Sequence, residues 1–440
     1  MGYRAYPEYR DSGVEWLPTI PEGWEVRRLK FMTAIQNGRD YKEVENDEGF
    51  PVIGSGGQFT WASDFLYDGE SVLFGRKGTI DKPLHIIGSF WTVDTMFYSI
   101  IQPGVFGRYL YYSSTTIHYE KLATQTAIPS ITQYDLGDYW LCLPSLDEQR
   151  NIANFLDHKT AQIDRLIEKK RELIEKLQEQ RIAIITLTVT RGLNTYALAG
   201  TCIQKWLGNI PDHWKRNQKL NYLSTDDRNS FVNGPFGSDL LTTELVDEGV
   251  PVIYSGDVKD TGFQRKSDKY VTEEKARQLD FCRVDGGDIL LAKVGDPPGD
   301  ACVYPLDQPS GIVTQDVVRI KVDKRTADPE YLCFLLNSEY GRHLVRLVSV
   351  EATRGRFSLA DLKSIRHILP PLEEQQEIVL HIQQQMKRCN RLSDLAIQEI
   401  EALQEYRTAL ITAAVTGQID VRDWQAPTAA EEPEPDKEVA

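Results

Sequence analysis

The chain is written twice, and any fold assigned to it must hold two copies of one plan. WLPTIPEGW at residues 16–24 returns as WLGNIPDHW at 206–214, an offset of 190. DEGFPVIGSG at 47–56 matches DEGVPVIYSG at 247–256, and DGESVLF at 68–74 matches DGGDILL at 285–291. Asp94 aligns with Asp316 and Tyr109-Leu110 with Tyr331-Leu332, both at an offset of 222. LPSLDEQ at 143–149 then aligns with LPPLEEQ at 369–375, at 226. The offset only grows, so the second copy keeps the elements and their order and carries about 36 extra residues in loops (226 − 190).

Within each copy, short runs rich in Val, Ile and aromatics (PVIGS, SVLFG, TMFYSII; PVIYS, DILLAKV, DVVRIKV) are bounded by Gly, Pro and Asp and predict strands. Shorter helical patterns lie between them, which gives a mixed α/β domain. After each Leu-Pro-Ser/Pro-Leu motif no Pro occurs, and Gly is absent until Gly192 and Gly417, so both stretches predict long helices. In the first, Leu156, Ile163, Lys170, Leu177 and Ile184 fall on a seven-residue spacing, with Ile167 and Ile174 beside them; in the second, Ile382, Cys389, Ala396, Leu403 and Leu410 do the same. This is coiled-coil periodicity. An ordinary core helix or a homodimer zipper would show the same stripe. Two matched helices in one chain favour an internal antiparallel pair.

The expected architecture is therefore α+β: two similar mixed α/β domains alternating with two long helices that pair as an antiparallel coiled coil, with internal pseudo-two-fold symmetry. The expected boundaries are 16–145 and 206–371 for the domains, 146–192 and 372–417 for the helices, and 425–440 for a disordered acidic tail.

The LPPLEEQ motif before a long helix, WLGNIPDHW at the start of a domain, and the SLADLK and GPFGSDL segments resemble the specificity subunits of type I restriction-modification systems, from Trp16 to about Asp420. The resemblance implies a non-catalytic subunit whose two target-recognition domains each read one half of a bipartite double-stranded DNA site. The helices would set the gap between the halves and dock two methyltransferase subunits. About 40 helical residues span roughly 60 Å, more than the ~34 Å of one DNA turn. Restriction (motor and nuclease) subunits would join that core. S-adenosylmethionine, ATP and Mg²⁺ would sit on the partner subunits, and this chain would carry no cofactor of its own. The implied seam and methyltransferase-docking residues are Leu156, Ile163, Ile167, Ile174, Leu177, Ile382, Leu403 and Leu410.

The formal charge of −15 opposes nucleic-acid binding, which usually leaves a basic footprint. Part of that charge is local, because the last fourteen residues, PTAAEEPEPDKEVA, hold five acids and one lysine. Two local reading patches inside a larger complex remain compatible with an acidic whole. The first domain offers Arg76 and Lys77 between glycines, with Lys293 as the counterpart in the second. A further pair of polar loops precedes the Leu-Pro motifs: Gln125, Ser130 and Gln133 in the first domain, and Arg354, Arg356 and Ser358 in the second. Such side chains hydrogen-bond base edges and phosphates. Helix capping by Ser130 or Ser358 is the structural alternative. Lys259, Arg265, Lys266 and Lys269, and the loop from Asn233 to Ser238, are weaker candidates that suit a solvated face or a turn equally well.

Enzymatic readings find little support. Asp296-Pro297-Pro298-Gly299 lacks the aromatic residue of the amino-methyltransferase motif, and its counterpart Thr79-Ile80-Asp81-Lys82 bears no likeness to it. No Walker loop or HExxH pair occurs, and no metal site is expected, since the six cysteines stand singly. No run of about 20 apolar residues and no secretory leader is present, so a soluble, cytoplasmic protein without a membrane span is expected. The rival from another class is a coiled-coil adaptor that binds no DNA.

Overall fold

Uninterrupted by proline or glycine, Leu146–Arg191 forms one helix of 46 residues (α1) and Leu372–Val415 another of 44 (α2). Each starts with acidic side chains, Asp147 and Glu148 or Glu373 and Glu374, where the helix dipole favours them. A glycine of positive φ follows each within two residues, Gly192 (+71°) directly after α1 and Gly417 (+74°) after Thr416, a conformation that costs glycine little. In this computed structural model the described residues are 3–124, 126–194, 200–201, 207, 209–235, 237, 239–295, 298–350 and 355–426. The chain divides into two compact units, Met1–Arg171 with Ile397–Ala440, and Glu172–Ala396, so each unit holds one globular part and a portion of each long helix.

In the first unit a seven-stranded sheet runs in the order Thr33–Asn37, Met96–Ile101, Tyr67–Gly75, Leu84–Thr92, Phe50–Gly54, Gly57–Ala62, Glu45–Asn46. Its pairs are antiparallel except Phe50–Gly54 with Leu84–Thr92, where Val52 lies opposite Trp91 and Ile53 opposite Thr92. Val72, Phe74 and Phe97 on this sheet pack with Leu29, Leu110 and Leu136. The helix portions run antiparallel: Asp164 pairs with Arg407 at 3.1 Å and Lys170 with Glu399 at 2.5 Å, one number rising as the other falls. Leu156, Ile163, Ile167 and Leu410 are buried in one cluster, with Leu403 half-buried against it. Each such side chain stabilises the unit by roughly 1.5–3 kcal/mol.

The second unit repeats the plan with its sheet divided. One four-stranded sheet holds Phe231–Asn233, Val317–Ile320, Ile289–Ala292 and Ala301–Val303; the other holds Tyr270–Val271, Val250–Ile253, Gly311–Val313 and Arg283–Val284. The parallel pair recurs, with Val252 opposite Ile312 and Ile253 opposite Val313. Ile185 and Val189 of α1 pack with Ile378, Ile382 and Met386 of α2. Leu177 is buried and Ile174 half-buried.

The repeated motifs join each globular part to the helices. Gln149 is buried; its Oε1 accepts from Phe106 N at 2.8 Å, and its Nε2 donates to Gly104 O and Pro144 O at 3.0 and 2.9 Å. Gln375 repeats these bonds with Asp328 N, Thr326 O and Pro370 O at 2.8, 3.3 and 2.9 Å. The buried Tyr109 hydroxyl donates to Cys142 O at 3.0 Å with Val415 O, near the end of α2, at 3.4 Å, and Tyr331 donates to Val189 O near the end of α1 at 3.2 Å. Trp24 and Trp214 of the opening motifs pack beside Gly417 and Gly192, where an added Cβ would stand 3.2 Å from either indole. Cys142, Cys282, Cys302, Cys333 and Cys389 are free and buried. Cys202 and the tail from 427 lie outside the described residues. No helix among the described residues is long and apolar enough to cross a membrane.

Candidate nucleic-acid interface

In the first unit the strand Tyr67–Gly75 runs into Arg76 and Lys77, whose backbone N–H groups both donate to Thr95 O, at 2.8 and 3.2 Å. Gly78 N donates to Pro129 O at 3.0 Å and Ile131 N to Arg76 O at 2.9 Å. An isolated bridge joins Lys77 to Ser130. Two candidate segments far apart in sequence thus lie side by side. Arg76, Lys77, Ser130 and Gln133, together with Asn37 and Asp94, line one open cleft of about 580 Å³. The Arg76 guanidinium donates to Asp94 O at 3.2 Å and sits 5.8 Å from the centre of the Phe97 ring, which orients an exposed cation. Lys77 is exposed, with no side-chain partner among the described residues. Gln133 spends its Nε2 on Ile35 O at 2.7 Å. Gln125 lies outside the described residues.

The second unit builds the same juxtaposition. Lys293 N donates to Asp316 O at 2.8 Å, and Val294 pairs with Arg356 as Lys77 pairs with Ser130. The pairing makes Asp316 the positional equivalent of Thr95, one residue off the alignment with Asp94. Arg356 lies in the strand Gly355–Phe357, and Lys293 is half-exposed. Arg354, Asp296 and Pro297 fall outside the described residues.

Capping divides the two serine candidates. Ser358 Oγ accepts from Asp361 N at 3.1 Å and caps the helix Leu359–Ser364. In the first unit the cap of Gln133–Gly137 is Thr132, which accepts from Asp135 N at 3.1 Å. Ser130 instead bonds Thr124 Oγ1 at 2.9 Å and closes the loop in front of the helix. Among the weaker candidates, Arg265 lies 4.7 Å from the Tyr270 ring centre and Lys269 is 3.6 Å from Asp268, whereas Lys266 is exposed without a side-chain partner among the described residues.

Asn37 belongs to the cleft although its sequence context did not single it out. The available signal was Asn37-Gly38 against Asn233-Gly234, whose offset of 196 fits between 190 and 200 in the rising series. A Cβ on Gly38 would stand 2.0 Å from Val93 O and one on Gly234 1.9 Å from Val313 O, so each backbone is pressed against the turn that precedes the next strand. Among the described residues, no group of three or more His, Cys, Asp or Glu side chains is placed to hold a metal ion.

The family model described as type I restriction modification DNA specificity domain matches residues 21–176 and again 240–402. The chain belongs to this family. The two matches fall on the two copies of the repeat and run into the long helices, so the duplication is a duplication of specificity domains. Similar proteins include the specificity subunit of the type I restriction enzyme StySPI of Salmonella potsdam, 20% identical over 92% of this chain and 91% of that one. The EcoKI specificity subunit of Escherichia coli K12 is 21% identical, with the same coverage. Among solved structures, the HsdS subunit from Thermoanaerobacter tengcongensis aligns with a TM-score of 0.52 at 16% identity, covering 91% of this chain and 98% of that one. A chain from a study of type I R-M complex assembly and conformational transition aligns at 0.68 and 16% identity, covering 90% and 98%. Both share the fold of two mixed α/β domains alternating with two long helices.

Proposed function

We propose that this chain is the DNA-sequence specificity subunit of a type I restriction-modification complex, acting in the cytoplasm, with each domain reading one half of a bipartite site. The observation that carries the reading is the recurrence, in both units, of one loop pair: the turn holding Arg76-Lys77 or Lys293, bridged to the loop that leads into a capped helix. Exposed cations on such a turn neutralise phosphates, and neighbouring polar groups reach base edges.

The long helices act as spacers and as docking surfaces for two methyltransferase subunits, which restriction subunits join. The outward apolar positions Leu166 and Leu392, 47% and 42% exposed and equivalent at the 226 offset, support a partner there. The chain itself is non-catalytic; S-adenosylmethionine, ATP and Mg²⁺ belong to the other subunits.

The test is co-expression with the cognate methyltransferase subunit and mapping of methylated bases on genomic DNA. Wild type is expected to mark a split motif. The Arg76→Ala/Lys77→Ala pair weakens methylation tenfold or more and alters one half, while Arg354→Ala/Arg356→Ala acts on the other half. A stable complex without sequence-directed methylation would instead favour a coiled-coil adaptor.

A further inference from the structure

Asn37 ends the strand Thr33–Asn37, opposite Phe97 in the sheet, and is exposed in the cleft of Arg76, Lys77 and Gln133. Its backbone is fixed on both sides: Phe97 pairs with it, and beyond it Gly38 N and Arg39 N donate to Met96 O and Thr92 O at 3.0 and 2.9 Å. Its carboxamide has no hydrogen-bond partner among the described residues. Of the two amide side chains lining the cleft, Gln133 is tied to Ile35 O, which leaves Asn37 with both its donor and its acceptor available. The equivalent residue of the second unit differs. Asn233 Nδ2 donates to Gly234 O at 3.1 Å and to Gln315 O at 3.5 Å, closing on its own turn. One position in a duplicated scaffold is thus occupied in one copy and open in the other, at the place where the loops of the cleft converge.

We infer that Asn37 reads the edge of an adenine in the half-site recognised by the first domain, an assignment that rests on the DNA-reading function proposed above. A carboxamide presents one N–H donor and one C=O acceptor in a plane, which matches N7 and the N6 amino group of adenine in the major groove. No other base offers that pair in that order. Arg76 and Lys77 beside it supply the positive charge that holds the backbone, and the fixed root of Asn37 reduces the ordering cost of the contact.

The experiment uses the full chain co-expressed with its methyltransferase subunit, with methylated bases mapped for wild type, Asn37→Ala and Asn37→Asp. With Asn37→Ala, one adenine position in one half becomes degenerate, its discrimination falling roughly ten- to a hundredfold, while the other half keeps its identity. Asn37→Asp retains an acceptor but loses the donor, so preference at that position shifts toward cytosine, whose N4 amino group donates. Thermal melting of both variants stays at the wild-type value because the side chain is exposed. Three results overturn the assignment: an unchanged motif, relaxation at a position that is not adenine, or a uniform loss of methylation with base preference intact, which marks a phosphate contact. Absence of any split motif in wild type removes the proposed function as well, and so separates the two failures.

Discussion

His367 is wholly buried, with its Nδ1 2.8 Å from Ile368 O, and burial lowers its pKa to about 4. Between the ordinary 6.5 and that value the folded chain binds fewer protons than the unfolded one. Stability is therefore full above this window and is lost as pH falls through it, by on the order of 3 kcal/mol. Urea unfolding measured at several pH values should show that slope in wild type and a flatter one in His367→Leu; equal slopes would assign the acid sensitivity elsewhere. At this scale the sequence was only partly legible. Arg76, Lys77, Ser130 and Gln133 were found as charged and polar residues beside turns, and they line one cleft. Ser358 matched both a reader and a cap by composition; its Oγ caps a helix, a distinction that depends on where Asp361 N points. Asn37 went unmarked because Asn-Gly is a common turn pair, and only the position of Gly38 against the Val93 carbonyl shows why it stands there.

At the level of elements, the two buried glutamines explain why the short Leu-Pro motifs persist in both copies while the loops diverge. Each satisfies one half-buried N–H and two carbonyls between a helix start and the loop ahead of a domain helix. Truncation leaves the buried proline carbonyl and the half-buried N–H without partners, at about 1–2 kcal/mol each, while water can reach the remaining carbonyl. Gln149→Ala should therefore lower the stability of the first unit by about 2–4 kcal/mol. Calorimetry should show one transition moving down while the other holds, and Gln375→Ala should move the other one. Elements of this kind were legible because buried side chains repeat at fixed spacing: Leu156, Ile163 and Ile167 on one helix, Ile382 and Leu410 on the other. The division of the second sheet was not. Strand partners are chosen across long stretches of chain, and the extra residues between Val250–Ile253 and Gly311–Val313 change those choices without disturbing the local pattern of either strand.

For the molecule as a whole, the spacer role makes a metric prediction. Seven residues inserted after Lys170 and seven more after Ala396, the equivalent place in α2, keep the heptad register and lengthen both helices by about 10 Å. That is close to 3 base pairs at 3.4 Å each. Methylated-base mapping should find both half-sites unchanged and the gap wider by about that number; an unaltered gap would count against the helices as rulers. The division into units also has a bearing on how the protein is made. The unit containing residues 172–396 is continuous in the chain, whereas its counterpart needs the segment from Ile397 to Trp424 to complete what residues 1–171 began. Because synthesis is slow compared with local folding, the later-encoded recognition module can close while still on the ribosome, and the earlier one must wait with its helix seam uncovered until Leu410 and Val415 emerge. Nascent-chain protease protection would then appear in the reverse of the genetic order, and the interval of exposure for the amino-terminal half would be set by the ribosome's transit over the 244 codons from 172 to 415 (415 − 171).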